Sequence, residues 1–569
     1  MNPLSDQVGS PPPNGKLPQV AIIGLFLAVT FVLHFAAARH FLLYEDDYFH
    51  IGLPATHSSE WTCRQIVFAW THWPQGRPAM FSMLALQGAM VQVTGSLWAG
   101  YLPALLIITA NGYLLFRLLA ARFAQTVALG AALLAILSCA DPHKILLTHA
   151  PLQFAITLNL AGLILYLRGR YLDAYLVAGL SLFFYEISFA VFATAELFYQ
   201  LRGRFQLKRL AWSFSGWLGI AATVLAIRLF SGESRAIEAT GNLVQLAQRV
   251  ITNVVWGPLY ALENSYLHPL LLIARKPSFP LVLASVLLVG FALFALRLIG
   301  RSTQPENRAE ERINPWIATG IICILLFGPY AMQFGRTVFS GFARPVTGYH
   351  LVAGIALGFG GALLLSLRLF GNKPWLTGGA IALLGIVSSY QNLVIQRDYV
   401  NSARYQTHFW SEVRRLASDA VPGNVIVVKQ EQLQESGYVK SNSWGVSHGW
   451  IVLFQQSGPL LDWFSIPPLR PVTVFLIPSD WTLRLETAPD HHFFRTSEYT
   501  PPGFKVGQIP FVNKEFIVLE ANGAEAFQRN SDQIILSDGP LMPKPIPAAS
   551  PGDLELTGLG NRYFSPDKP

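Results

Sequence analysis

The chain has 569 residues, 52% apolar and 13% charged, about half the ~25% charged content of an ordinary soluble chain. With a mean hydropathy of +0.38, this balance excludes a secreted disulfide scaffold, a disordered chain and a typical soluble enzyme, and leaves a polytopic membrane protein. The net charge of +8 divides unevenly: residues 1–396 hold 26 basic and 15 acidic residues, residues 397–569 hold 15 and 18. The basicity therefore belongs to the apolar part, where loop Lys and Arg orient helices in a lipid bilayer. No basic stripe is interleaved with aromatics, so a nucleic-acid partner is not expected.

Residues 1–17 form a Pro-rich polar head, expected as a cytoplasmic tail. The charge-free run Leu17–Ala38 lacks a following small-residue cleavage site and reads as a retained helix rather than a signal peptide. About 20 apolar residues cross ~30 Å of hydrocarbon. On that measure eleven transmembrane helices are expected, near 18–40, 98–118, 123–140, 151–168, 171–185, 187–201, 211–230, 279–299, 315–334, 346–368 and 375–395. Tyr171–Leu201 lies between two basic clusters, so it is expected to cross twice as short helices turning near Tyr185-Glu186. Val250–Ala274, which carries Glu263 and His268, is expected as an external amphipathic segment. With this layout the cytoplasmic segments hold 15 Lys and Arg, and the external segments 41–79, 141–150 and 335–345 hold five. That asymmetry predicts a cytoplasmic N-terminus and an external C-terminal part. Gly354 and Gly358 sit at the spacing that allows close helix packing.

After Gln396 the composition changes. Arg404–Ala420 has helical spacing, and Val425–Lys429, Val472–Ile477 and Phe516–Leu519 read as strands. Residues 397–569 are expected to form a small external α+β domain with a Pro-rich tail. They contain no cysteine; Cys63 is in a loop, and Cys139 and Cys323 are in apolar runs, so no disulfide or cysteine metal motif is expected.

The residues most informative about chemistry leave the first helix: Tyr44-Glu45-Asp46-Asp47-Tyr48-Phe49-His50. Three adjacent carboxylates at a membrane boundary repel one another and are costly to desolvate. A solvated loop is the plain explanation, but aromatic residues crowd both sides. A carboxylate against an apolar wall has its pKa raised and suits a general base. The loop continues through Trp61, Trp70 and Trp73 to Gln75-Gly76-Arg77-Pro78, where the planar fork of Arg77 suits an anionic phosphate or an interfacial anchor. Arg336 and Arg344 flank a later external loop. Asp141, His143, Lys144 and His149 form a short loop suited to lining the same cavity or to making a structural turn. His50, His57 and His72 match no zinc spacing; no metal site or cofactor is expected, a divalent cation remaining the open alternative.

The Asp-Asp pair after the first helix, followed by Trp…Gly-Arg-Pro before the next apolar stretch, resembles the GT-C integral-membrane glycosyltransferases, nearest the bacterial serotype-converting glucosyltransferases. The resemblance is carried by residues 40–90 and extends in layout to 396. It implies inverting transfer of a sugar from a polyprenyl-phosphate donor to a cell-envelope glycan or lipid acceptor, on the non-cytoplasmic face of a bacterial inner membrane. It implies Asp46 or Asp47 as base, with Glu45 beside them. Arg77, Arg336 and Arg344 would hold the donor phosphate. Trp73, Tyr185, Glu186, His143 and His149 would line the cavity; Gln is common in that branch where this chain has Glu186. Two other classes compete: a transporter or flippase of lipid-linked glycans, which usually shows internal repeats that are not found here, and a lipid-linked glycan polymerase or ligase.

Overall fold

The computed structural model of the protein describes residues 19–44, 47–56, 58–203, 205–233, 237, 242–302, 313–333, 350–366 and 374–416, together with the strands given below. Among these residues six helices are long and apolar enough to cross a membrane: Gln19–His40, Leu97–Ala120, Leu147–Leu167, Leu207–Phe230, Phe279–Leu298 and Gly378–His408. Four shorter apolar helices accompany them, Gln125–Leu137, Tyr171–Phe183, Pro315–Ala331 and Ala353–Ser366. The protein is thus a helical membrane protein in its apolar part.

Local chemistry sets the boundaries. The long apolar stretch from Pro78 is two helices, because Gly95 adopts φ 62° and closes Pro78–Thr94 before Leu97–Ala120 begins. The hairpin after Tyr171 is more irregular than two short α-helices. Tyr171–Leu180 is α-helical, Ser181–Phe183 and Glu186–Thr194 are 3-10, and Ala195–Gln200 is α-helical again. Leu243–Leu262 is an α-helix that is not among the six apolar ones; Leu243, Val244, Ile251, Val255 and Leu259 are exposed, whereas Asn253, Gly257 and Ala261 are buried.

The last helix departs from expectation. Pro374–Leu416 is continuous over 43 residues and passes straight through Gln396, where the composition changes. No Gly or Pro lies between Gly385 and Leu416, and charged Arg397 and Asp398 do not themselves stop a helix. Gln396 instead ties the last helix to the first. Its side-chain amide donates to Val32 O (2.8 Å) and its Oε1 accepts from Ala37 N (3.1 Å), serving the π-helical turn Phe31–Phe35, whose irregular backbone needs partners. Beside it Tyr44 donates to Tyr399 O at 2.7 Å, with the two rings 4.7 Å apart.

Close packing elsewhere follows small residues. A Cβ on Gly354 would lie 2.7 Å from Ala135 O and one on Gly358 2.8 Å from Ala131 O, so helix Ala353–Ser366 lies backbone to backbone on Gln125–Leu137. Hydrogen bonds sort the connections into two ends. At one end Asn314 N donates to Leu201 O and Arg122 Nε to Phe198 O. At the other end the first loop meets residues 147–148 and Arg228.

Beyond the long helix, five strands form a sheet in the order Val452–Phe454, Thr473–Pro478, Val425–Gln430, Phe516–Asn522 and Ala526–Asn530. The central three run parallel and both edge strands antiparallel. Leu483–Ala488 pairs with His491–Thr496, and Ile534–Leu536 with Gly539–Leu541.

Candidate active site at one end of the bundle

Asp47 is fully buried. Its Oδ1 accepts from Thr148 N at 2.8 Å and its Oδ2 from Leu147 N at 3.4 Å, across 100 residues of chain. The two donors open the 3-10 turn Leu147–His149 that leads into helix Ala150–Leu167, a setting that favours an anion. Burial nevertheless dominates: it pushes the Asp47 carboxyl up, the two backbone donors and nearby His149 pull it down, and the balance is about 7. Glu45, Asp46, Arg336 and Arg344 lie outside the described residues.

The turn that presents Arg77 is strained. Trp73 (φ 49°), Gln75 (φ 54°) and Gly76 (φ 70°) all take left-handed backbone, which is unusual for the two non-glycine residues. Trp73 packs on Phe183, at 5.6 Å between ring centres. The turn delivers Arg77 to Glu186 in a two-pronged pair, Nε to Oε2 at 2.9 Å and Nη2 to Oε1 at 2.7 Å. The same guanidinium lies 4.5 Å over the Tyr185 ring. Thus the Gly-Arg-Pro segment and the Tyr185-Glu186 turn, 109 residues apart, come together as one buried unit.

A second pair adjoins it. Arg228 donates to Glu233 at 3.0 Å and to Gln75 O at 3.2 Å, and a Cβ on Gly76 would stand 2.1 Å from Arg228 Nε. Glycine is favoured at 76 by its left-handed backbone, and a side chain there would have to push the Arg228 guanidinium aside. Arg77 first, and Arg228 behind it, supply the positive charge that faces the buried Glu186 carboxylate. The sequence reading missed Arg228 and Glu233; the available signal was an Arg ending an apolar run with an acid five residues later.

The loop after helix Gln125–Leu137 forms the other half. Asp141 Oδ1 accepts from His143 N at 3.0 Å, and Asp141 Oδ2 lies 3.7 Å from His149 Nδ1, beyond hydrogen-bond reach. Burial raises Asp141, yet His149 and His143 together hold it below the usual carboxylate range. The His143 and His149 rings meet edge to face at 6.0 Å. Lys144 donates to Ile136 O (3.1 Å) and Ser138 O (2.5 Å), so its ammonium caps the C-terminus of helix Gln125–Leu137; burial lowers it to about 8. Elsewhere, buried Glu196 takes Tyr166 Oη–H and Arg209, and half-buried Asp173 pairs with Arg170. Among the described residues no group of three or more His, Cys, Asp or Glu is arranged to hold a metal ion.

Chemically, this end of the bundle offers a carboxylate poised near neutrality, a neutralised arginine–glutamate cluster and an Asp–His–Lys loop. The chain matches no known family model, no characterised protein and no solved structure.

Proposed function

We propose that the chain transfers a sugar from a polyprenyl-phosphate donor to a cell-envelope glycan or lipid acceptor at the non-cytoplasmic face, as the resemblance to GT-C glycosyltransferases implies. The observation that carries this reading is Asp47: a buried carboxyl near pH 7, fixed where the first loop meets the turn at 147–149. A general base works best when its pKa lies near the working pH. Asp47 takes the acceptor hydroxyl proton as that oxygen bonds to the sugar's anomeric carbon from the face opposite the phosphate. The carbon–oxygen bond to phosphate breaks, and polyprenyl phosphate leaves with the electron pair, inverting the anomeric centre.

The developing phosphate charge calls for cations, and Arg77, Arg336 and Arg344 are proposed for it. For Arg77 this means an exchange of partner, because Glu186 occupies its fork. Tyr185, Trp73, His143 and His149 are proposed to line the acceptor and donor space.

The proposed architecture has eleven crossings: the six long helices, the four shorter ones and the segment Glu186–Gln200. It places the sheet-containing α+β domain outside, and a bacterial inner membrane as the setting. Reporter fusions at Lys208 and after Leu416 test it; a cytoplasmic signal from the second overturns it. Transfer itself is tested with membranes given a radiolabelled polyprenyl-phosphate sugar. Labelled product that vanishes in Asp47→Asn is expected, and full transfer by that variant rejects Asp47 as base.

A further inference from the structure

At the end of the bundle opposite Asp47, two helices start side by side. Arg209 Nη2 donates to Tyr171 Oη at 3.4 Å, and Tyr175 Oη donates to Ser213 O at 2.9 Å. A Cβ on Gly179 would lie 3.3 Å from Ile220 Cγ2. These contacts climb together along both segments, so Tyr171–Leu180 and Leu207–Phe230 run parallel from a common level. Arg168, Arg170 and Arg202 lead into the two helices, and Lys208 and Arg209 lie in the first turn of the second. Among the described residues of this junction, only Asp173 and Glu196 offset them.

Arg209 is held from behind. Buried Glu196 takes its Nε at 3.2 Å, together with the Tyr166 hydroxyl and the Gln200 amide. The guanidinium lies 4.4 Å over the Tyr199 ring. The fork is thus fixed while its side chain stays 37% exposed. Next to it the surface turns apolar, with Leu172, Leu176 and Trp212 exposed. Successive residues turn by about 100° around a helix. Leu172 and Leu176 follow the contact residues Tyr171 and Tyr175, whereas Lys208 and Trp212 precede Arg209 and Ser213. In parallel neighbours those two sets turn to the same side, so cations and apolar groups share one groove.

We propose that this groove binds one anionic phospholipid, its phosphate at Arg209 and Lys208 and its acyl chains along Leu172, Leu176 and Trp212. A planar fork suits phosphate, and Arg168 beside Tyr171 adds charge. The excess of cations selects a headgroup of net negative charge over a zwitterionic one. Trp212 and Tyr171 suit the headgroup level, where indole and phenol rings concentrate. A free phosphate would use the cations and leave the apolar wall bare. The site lies at the opposite end from Asp47 and does not rest on the glycosyl-transfer reading.

The full chain in mild detergent is titrated with dioleoyl phosphatidylglycerol or dioleoyl phosphatidylcholine, and bound lipid is counted by native mass spectrometry. The parent chain is expected to hold the first phosphatidylglycerol more tightly than phosphatidylcholine. Arg168→Gln combined with Lys208→Gln changes exposed residues and should weaken that binding by about fivefold per cation. Arg275→Gln combined with Lys276→Gln removes the same charge from another exposed site and should leave it unchanged. Arg209→Gln combined with Glu196→Gln removes the fork without stranding the buried acid and should abolish the preference. Equal binding of the two lipids by the parent chain overturns the site, as does equal weakening by the two charge pairs. Full preference retained without Arg209 overturns it too. Displacement of the lipid by inorganic phosphate alone marks a free-phosphate site and rejects the lipid.

Discussion

Two buried polar clusters share one end of this bundle and are built on opposite terms. Around Arg77, Glu186, Arg228 and Glu233 the acid–base pairs meet at hydrogen-bond distance. Around Asp47, Asp141 and His350 the groups are just as buried and His149 is partly exposed, but the Asp141–His149 approach is long and, among the described residues, Asp141 Oδ2 and His350 Nε2 have no hydrogen-bond partner. Fully matched ions fix geometry, since their charges are already neutralised. Unmatched groups retain the capacity to gain or lose a proton. On the proposed reading the first cluster positions groups, Arg77 leaving Glu186 only for the donor phosphate, and proton chemistry falls to Asp47 in the second.

Asp47→Asn tests this most severely. Asn still accepts from Thr148 N but has no basic oxygen, so transfer is expected to fall about 10²–10⁴-fold. In the parent chain the rate should drop about tenfold per pH unit below about 7, as Asp47 becomes protonated. Stability should move oppositely. The folded-state value is raised, so the stabilisation from protonated Asp47 is complete below the ordinary carboxylate range and is lost as pH rises through about 7. Asp47→Asn should therefore raise the melting temperature at pH 8 and leave it nearly unchanged at about pH 3.5. A variant that melts lower at both pH values makes Asp47 an architectural group and collapses the contrast between the clusters.

For the matched cluster the expectation is reversed. Arg77→Met leaves Glu186 buried without its main partner, at a cost of about 3–5 kcal/mol. Adding Glu186→Leu should restore most of that, as read by thermal unfolding in detergent; no recovery in the double variant argues against pairing as the source. Gly76→Ala forces a Cβ into Arg228 at φ 70° and should cost about 1–3 kcal/mol, with Arg228→Ala relieving the steric part. The smallest effect is expected away from both clusters. Gln396→Leu removes two hydrogen bonds to the first helix, worth about 1 kcal/mol each, and should leave KM untouched.

The sequence made some of this readable and hid the rest for identifiable reasons. Charge-free runs located the helices because burial in lipid is a property of composition over ~20 residues. The end shared by Asp47, Arg77 and the 141–150 loop followed from counting crossings. The Tyr185-Glu186 turn was visible as the midpoint between two basic clusters. The partners were not visible. That Arg77 meets Glu186, and that Arg228 reaches Gln75, depends on helix packing across more than 100 residues. His350 was hidden for the same reason: nothing near it in the chain distinguishes it from any histidine heading an apolar run. Composition changes at Gln396 while the helix, with nothing to break it, continues to Leu416, so the helical spacing from Arg404 onward belongs to the same helix as the apolar run before it.

The Gln396 tie has a consequence for how the protein is made. Val32 O and Ala37 N find their partner more than 350 residues later in the chain. During synthesis the first helix therefore enters the bilayer with its π-helical turn still lacking the side chain that completes it. Membrane insertion machinery, lipid headgroups or water must shelter those polar groups until translation reaches the final span. Docking of that span closes the bundle, so a ribosome stalled before residue 396 should leave the N-terminal helix loosely held and open to proteolysis.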